Sequence, residues 1–207
     1  MINNLFQKYN IKLKTSQAIC FEKFLALFLE KNSKLNLSAI RDEQGIIEKH
    51  FIDSIILDNF IELKGKILDI GTGGGFPGIP LAITNPDCRF TLLDSTRKKI
   101  DAVNGFCKEL ELTNCSGIWG RADELSKLLE YKGQFDFIVS RATAYLPQII
   151  EWSLPFLKKG GTMIFYKLYD EKEIEDGIRF IKKYNLKLSS DFSYEIGGQN
   201  RVLYILK

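Results

Sequence analysis

The sequence predicts a doubly wound α/β fold: a mostly parallel, seven-stranded sheet with an antiparallel last strand, preceded by an N-terminal helical cap. Three observations carry this. Lys66 to Gly78, K-I-L-D-I-G-T-G-G-G-F-P-G, runs from a short apolar segment through Gly71, Gly73, Gly74 and Gly75 towards an apolar helix start. Arg89 to Asp94, R-F-T-L-L-D, reads as an apolar strand ending on an acid. Near the C-terminus, two strand-like stretches flank a glycine turn and so pair antiparallel.

The chain has 207 residues, enough for one domain of ordinary size. Residues 1–62 are expected to form the cap, and 63–207 the sheet-bearing unit packed with it. With 45% apolar residues the chain can bury a full core. Its formal charge of +3 permits an anionic partner without demanding one. Four scattered cysteines without a C-x-x-C pair, and the single histidine His50, offer little to a metal. Reduced thiols, no secretory leader and no membrane-spanning apolar run lead to the expectation of a cytoplasmic protein, which is taken as a monomer.

Taken in order, residues from about Ser16 to Lys34 carry helical periodicity, with Ser16 as candidate N-cap. A second helix is expected from about Glu43 to Asn59. Two polar clusters stand out: Asn36, Ser38, Arg41 and Asp42, then His50, Asp53 and Ser54. His50 and Asp53 are three apart and share a helix face. No second histidine or G-x-S-x-G elbow supports a metal or serine-triad reading. Ile67–Ile70 forms the first strand, and Ile79–Ile83 starts the helix after the glycines, Pro80 suiting a first turn. Asp94 closes the second strand, and Ser95–Lys99 opens the next helix, expected over Lys98–Leu112. Cys115–Trp119 is the third strand, with Asp123 after it as a helix cap or a ligand contact. Phe135–Ala142 is the fourth strand and its exit. Leu146–Leu157 is expected to be helical, stopped by Gly160-Gly161. Thr162–Lys167 is the fifth strand and Glu171–Lys183 another helix. Leu186–Tyr194 and Arg201–Leu206 are the last two strands.

A strand, glycine turn and helix form the nucleotide-binding unit of such sheets. Spacing bears on which nucleotide without deciding it. The dinucleotide fingerprint G-x-G-x-x-G fits Gly71 and Gly73, but its third position falls on Phe76. An acid about 20 residues beyond the glycines can accept from ribose hydroxyls, and Asp94 stands there. The pattern D-x-G-x-G-x-G from Asp69 to Gly75 resembles the first motif of class I, Rossmann-like, S-adenosylmethionine-dependent methyltransferases. That resemblance implies a glycine loop under the cofactor, an acid near Asp123 facing adenine, and a loop after the fourth strand, at Arg141, facing the methyl group. Arg141 is well shaped for a phosphate or carboxylate but cannot be a base. An Arg–Asp bridge that shapes the loop is its alternative role.

N-L-S-A-I-R-D at Asn36–Asp42, H-F-I-D-S at His50–Ser54, D-I-G-T-G-G-G-F-P-G-I-P-L-A at Asp69–Ala82, L-L-D-S at Leu92–Ser95, R-A-D at Arg121–Asp123 and S-R-A at Ser140–Ala142 occur in family order. They resemble the bacterial small-subunit ribosomal RNA methyltransferase G family, over nearly the whole chain. The resemblance implies S-adenosyl-L-methionine as cofactor and methylation of a guanine N7 in 16S ribosomal RNA, within the small subunit or an assembly intermediate. Cofactor contacts carry over to Gly71, Gly73, Phe76, Asp94, Ser95, Thr96, Ala122, Asp123 and Arg141, with Arg141 also positioning the reaction. Arg97, Lys98, Lys99 and Lys167 are candidate RNA contacts. The chain departs from the pattern at Ile100-Asp101 after its basic pair, at Leu168 after Lys167 and at Asp123, where Glu is common. An NAD(P)-dependent oxidoreductase, a small-molecule methyltransferase and a non-catalytic RNA-binding assembly factor are the alternative classes.

Overall fold

Alternation along the strands sorts their side chains into two cores. The computed structural model describes residues 2–207. Ile67, Leu92, Val139, Ile164 and Leu203 face one side of the sheet, while Leu68, Leu93, Ile138, Met163 and Val202 face the other. A period of two on a sheet covered on both faces gives near-continuous apolar runs, which is how these strands read.

The seven strands are β1 Lys66–Ile70, β2 Arg89–Asp94, β3 Cys115–Trp119, β4 Phe135–Arg141, β5 Leu157–Leu168, β6 Leu188–Ile196 and β7 Gln199–Leu206. Their order is β3-β2-β1-β4-β5-β7-β6. Every pairing from β3 through β5 is parallel, and β7 lies antiparallel between β5 and β6. The β6–β7 turn is Gly197-Gly198, with φ of 53° and 73°. Two positive values in a two-residue hairpin are the reason both positions are glycine.

Helices α1 Ile2–Lys8, α2 Thr15–Leu35, α3 Glu43–Ile46, α4 Asp53–Ile55, α5 Gly78–Thr84 and α6 Arg97–Glu109 contribute to the first core. α7 Ala122–Leu125, α8 Leu146–Ser153 and α9 Glu171–Lys183 pack on the second. The N-terminal helices are thus a layer over the sheet as well as a cap. Their centre is Phe24, fully buried, stacked on Phe51 at 5.0 Å and meeting Phe28, Phe76 and Phe106 within 6.0 Å.

Four local expectations are corrected. Ser16 is not the cap of α2: the helix starts at Thr15, and the Gln17 side chain takes the Lys14 N–H at 2.8 Å. α1 is an unforeseen helix, fixed by buried Ile2 and Phe6, the latter against Phe21. Gly160-Gly161 does not stop a helix. α8 ends at Ser153, a turn containing Pro155 follows, and the glycines lie inside β5 at an irregularity in its pairing with β4. Between α3 and α4 the helical run widens into a π segment, Ile47–Ile52.

Phe24→Ala should cost roughly 3–5 kcal/mol of folding stability, the usual penalty for emptying a buried aromatic site. Urea unfolding of the variant checks this; a loss under about 1 kcal/mol would contradict the packing described.

Candidate functional site

Strand order reverses between β1 and β4, and the carboxyl ends of strands on either side of such a point leave a crevice. Here it is a cleft of about 670 Å³. Its floor is the glycine turn. Gly71 and Thr72 donate their N–H groups to the Leu93 carbonyl, at 2.8 and 3.0 Å, which ties the turn to β2. Gly71 has φ of 77°, and a Cβ there would lie 2.3 Å from the Thr143 side chain. Thr143 lies in the loop after β4 and donates to the Ile70 carbonyl at 3.0 Å. At Gly73, φ 57°, an added Cβ would meet nothing within 4 Å, so bare backbone faces open cleft.

Asp94 organises the next wall. Its carboxylate accepts from Gly73 N–H at 2.9 Å and from Thr96 N–H at 2.8 Å. A carboxylate offers about four acceptor positions, so capacity remains towards the cleft. Ser95, Thr96 and Lys99 line the same side, with Ala122 and Asp123 beyond β3. Asp123 does not cap α7. It lies inside the first turn and pairs with Arg121 at 3.0 Å, whose hydrogen bond holds its pKa down. The pair is largely exposed and contributes little to stability.

The close helix–strand packing that a third glycine serves in dinucleotide sites belongs here to Gly78. A Cβ there would sit 2.0 Å from Leu92, and its N–H donates to Asp69 Oδ2 at 2.9 Å. Asp69 is fully buried, its Oδ1 has no partner, and burial pushes its pKa up to about 7. The Thr72 hydroxyl pulls the value down without reaching hydrogen-bond geometry, and it too is a buried group without a partner.

Arg141 lines the cleft, but its guanidinium points into the cap. It donates to Asp53 Oδ2 at 2.7 Å, to the Lys49 carbonyl at 3.1 Å and towards His50 Nδ1 at 3.2 Å. Its Cζ lies 5.3 Å from the Phe76 ring, and its side chain is 7% exposed. This is the loop-shaping bridge. Phe76 is likewise turned inward, stacked on His50 at 4.5 Å. With Arg141 donating to Nδ1, His50 carries its proton on Nε2 and donates to Ser38 Oγ at 2.7 Å. Burial, with Arg141 adding to it, drives the His50 pKa down to about 3, so the ring is neutral. The Ser38 bond joins the two polar clusters seen in the sequence.

Lys167 is corrected as a surface RNA contact. Its ammonium is 10% exposed, bonded to the Ala144 carbonyl and to Glu173 at 2.6 Å, which in turn accepts from Leu146 N–H. It holds the loop after β4 to α9. Arg97 and Lys98 are exposed, with Arg97 over the Trp119 ring at 5.4 Å. Sequence reading missed Thr143, Lys49, Gln199 and Arg201, which also line the cleft. They stand far from the glycine motif in sequence, and only Gln199, beside the terminal glycine turn, carried a local signal. Among the described residues no cluster of three or more His, Cys, Asp or Glu is placed to hold a metal. No described helix is long and apolar enough to cross a membrane.

A parallel sheet with a reversed seventh strand, a bare glycine turn and an acid closing β2 define the class of S-adenosyl-L-methionine-dependent methyltransferases. In fold the chain is similar to such an enzyme from Aquifex aeolicus, at TM-score 0.61 and 16% identity over 86% of this chain and 97% of that one. It is similar also to Aeropyrum pernix fibrillarin in complex with S-adenosyl-L-methionine, at TM-score 0.59 and 15% identity over 74% and 73%. Residues 17–195 match the family described as rRNA small subunit methyltransferase G, GidB. Ribosomal RNA small subunit methyltransferase G of Fusobacterium nucleatum is 41% identical over 89% of this chain and 81% of that protein. The Deinococcus radiodurans protein of the same name is 38% identical over 90% and 76%. The chain belongs to the rRNA small subunit methyltransferase G family.

The residues present fit the cofactor of this class. Gly73 leaves room over bare backbone, Asp94 keeps acceptor capacity, and Asp69 and Thr72 hold unpartnered polar atoms at the base of the turn.

Two buried groups here titrate with opposite sign. His50, lowered from 6.5 to about 3, favours the fold above pH 6.5 and loses that contribution as pH falls. Asp69, raised from 3.8 to about 7, favours the fold below pH 3.8 and loses that contribution as pH rises through 7. Between pH 4 and 6.5 the two slopes, each up to about 1.4 kcal/mol per unit, should nearly cancel. Relative to the native chain, denaturant midpoints across that window should climb more with pH in Asp69→Asn and fall more with pH in His50→Gln. Parallel profiles in all three would refute the assignment.

Proposed function

We propose that this chain transfers a methyl group from S-adenosyl-L-methionine to a guanine N7 in 16S ribosomal RNA. The observation that carries the reading is family membership over residues 17–195, joined to a cleft whose floor is bare backbone and whose wall is Asp94. In this reading Asp94 accepts from the ribose hydroxyls. Gly71 and Gly73 underlie the amino-acid part and sugar, and Ser95, Thr96, Ala122 and Asp123 border the adenine. Phe76 and Arg141 act from behind, holding the turn and the cap in register. The cofactor supplies an electrophilic methyl on a sulfonium.

The chain's contribution is alignment and exclusion of water. Guanine N7 has a lone pair and no proton, so no side chain has to remove one before attack. The buried network agrees with this: His50 is neutral with both ring nitrogens engaged, and Asp53 is fully buried and paired. Neither is free to serve as a base. Arg97, Lys98 and Lys99, at the start of α6, stay candidate phosphate contacts, which position RNA without reading its sequence. A base in a single-stranded or splayed segment enters such a cleft most readily. The small net charge favours a substrate presented within a ribosomal particle or assembly intermediate.

Mapping of methylated nucleotides in 16S rRNA, with and without this protein, tests the substrate. One guanine is expected to lose its N7 methyl when the protein is absent. An unchanged map, with the cofactor bound by the purified chain, would refute the reading. Asp94→Ala should raise the cofactor Kd about tenfold to a hundredfold by calorimetry, the loss of charge-assisted hydrogen bonds of about 1.5–3 kcal/mol.

A further inference from the structure

The cleft extends past the strip assigned to the cofactor. Its far wall is made by Lys49 from the cap and by Gln199 and Arg201 from β7. Lys49 and Ile40 also line an adjoining groove of about 710 Å³, between residues 39–49 and the hairpin turn at Gly197. Arg201 also lines a third hollow, of about 370 Å³, with Tyr169 and Asn200. Each of the three spaces is lined in part by the β6–β7 hairpin.

In the first groove Glu48 is 7% exposed and faces Lys8 at 3.7 Å, so its charge is turned inward. Arg41 and Asp42 both lie at the surface, Arg41 donating to Asn36 Oδ1 and Asp42 accepting from Gly45 N–H at 2.7 Å. The stem of Lys49 crosses Gly197, where a Cβ would lie 2.6 Å from Lys49 Cε. Among the described residues the Lys49 ammonium has no ion pair and no hydrogen bond. On the other side Arg201 is fixed by Asp53 at 3.3 Å and Gln199 at 3.3 Å, which leaves its buried Nε–H without an acceptor. Arg201 keeps 15% of its side chain exposed, and it lines the cleft. Tyr169, 57% exposed, stands at the rim as a surface on which a base can stack.

We infer that Lys49 and Arg201 clamp the phosphates on either side of a nucleotide whose base enters the cleft. A single RNA strand then leaves through the two grooves that flank the hairpin. This rests on the functional reading above and adds where the substrate backbone runs. Arg97–Lys99 stand at the other end of the cleft, beside the segment given to the cofactor.

The test is binding of a 16S rRNA transcript by the full chain, measured as log Kd against log salt. Variants are Lys49→Met, which keeps the stem, Arg201→Met, which removes the cation while Arg141 stays paired with Asp53 at 2.7 Å, and Lys159→Met in the β5 glycine segment as control. Each lost phosphate contact on a single strand should shallow the slope by about 0.7. Lys49→Met and Arg201→Met should each do so, with cofactor affinity by calorimetry and melting temperature unchanged in Lys49→Met. The control should keep the native slope. Native slopes in both clamp variants, or a shallower slope in Arg97→Met alone, would overturn the clamp. Methyl transfer is scored separately, on the transcript and on small subunits from cells lacking this protein. Slopes that respond with transfer to neither substrate support the clamp and remove the methylation reading. Transfer to either with unresponsive slopes does the reverse.

Discussion

The carboxylate of Asp53 is the point on which the site's geometry depends. It is fully buried, and it joins parts of the chain that local sequence leaves unconnected. Arg141 reaches it from β4, Arg201 from β7 at 3.3 Å, and the Tyr194 hydroxyl from β6 at 2.8 Å. Asp53 itself opens α4 in the N-terminal layer. A buried charge is tolerated only when paired and hydrogen-bonded, so each partner fixes the others. The arrangement is therefore a specification of position more than a source of stability. Replacing an ion pair of this kind by apolar groups is often neutral in energy, but it would free the hairpin from the cap.

From Asp53 the constraint passes to the cleft. Arg141 lies between the π segment and the Phe76 ring. The wider π turn leaves the carbonyls of Lys49 and His50 able to accept from it, at 3.1 and 3.4 Å. His50 stacks on Phe76, and Phe76 ends the glycine turn. The exit of β4 is held in the same way. Ala142 adopts φ of 52°, an unfavourable value for alanine, while Thr143 bonds to the carbonyl at the end of β1. Such strain persists where the surroundings over-determine the backbone. The floor of the cleft is thus rigid for reasons that lie behind it.

The fold was legible because its signals are local. Apolar runs of four to seven residues, the four glycines and the hairpin turn each announce one element. Asp94 was legible for the same reason, at a fixed distance from the turn. Arg141 was a candidate site residue from sequence and it lines the cleft, yet its direction was not readable. A guanidinium at the end of β4 can turn towards ligand or towards the cap, and the choice depends on an acid 88 positions away. Lys167 shows the same limit. As one of 29 cations it reads as surface, and only the packing of α9 brings Glu173 beneath it. Gly78 was given no role in the sequence, because its contact with Leu92 requires the helix to be laid on the sheet.

By itself the sequence determined the doubly wound sheet, the reversed last strand, the bare turn and the acid that closes β2. These follow from backbone freedom and hydrophobic period, which act over a few residues. The tertiary structure alone decided what the side chains around the cleft do: that Arg141 and Phe76 brace the cap, that His50 is neutral, and that Lys49 and Arg201 line one cleft. Those roles depend on burial and on which charges become neighbours, and both are set only when distant segments pack.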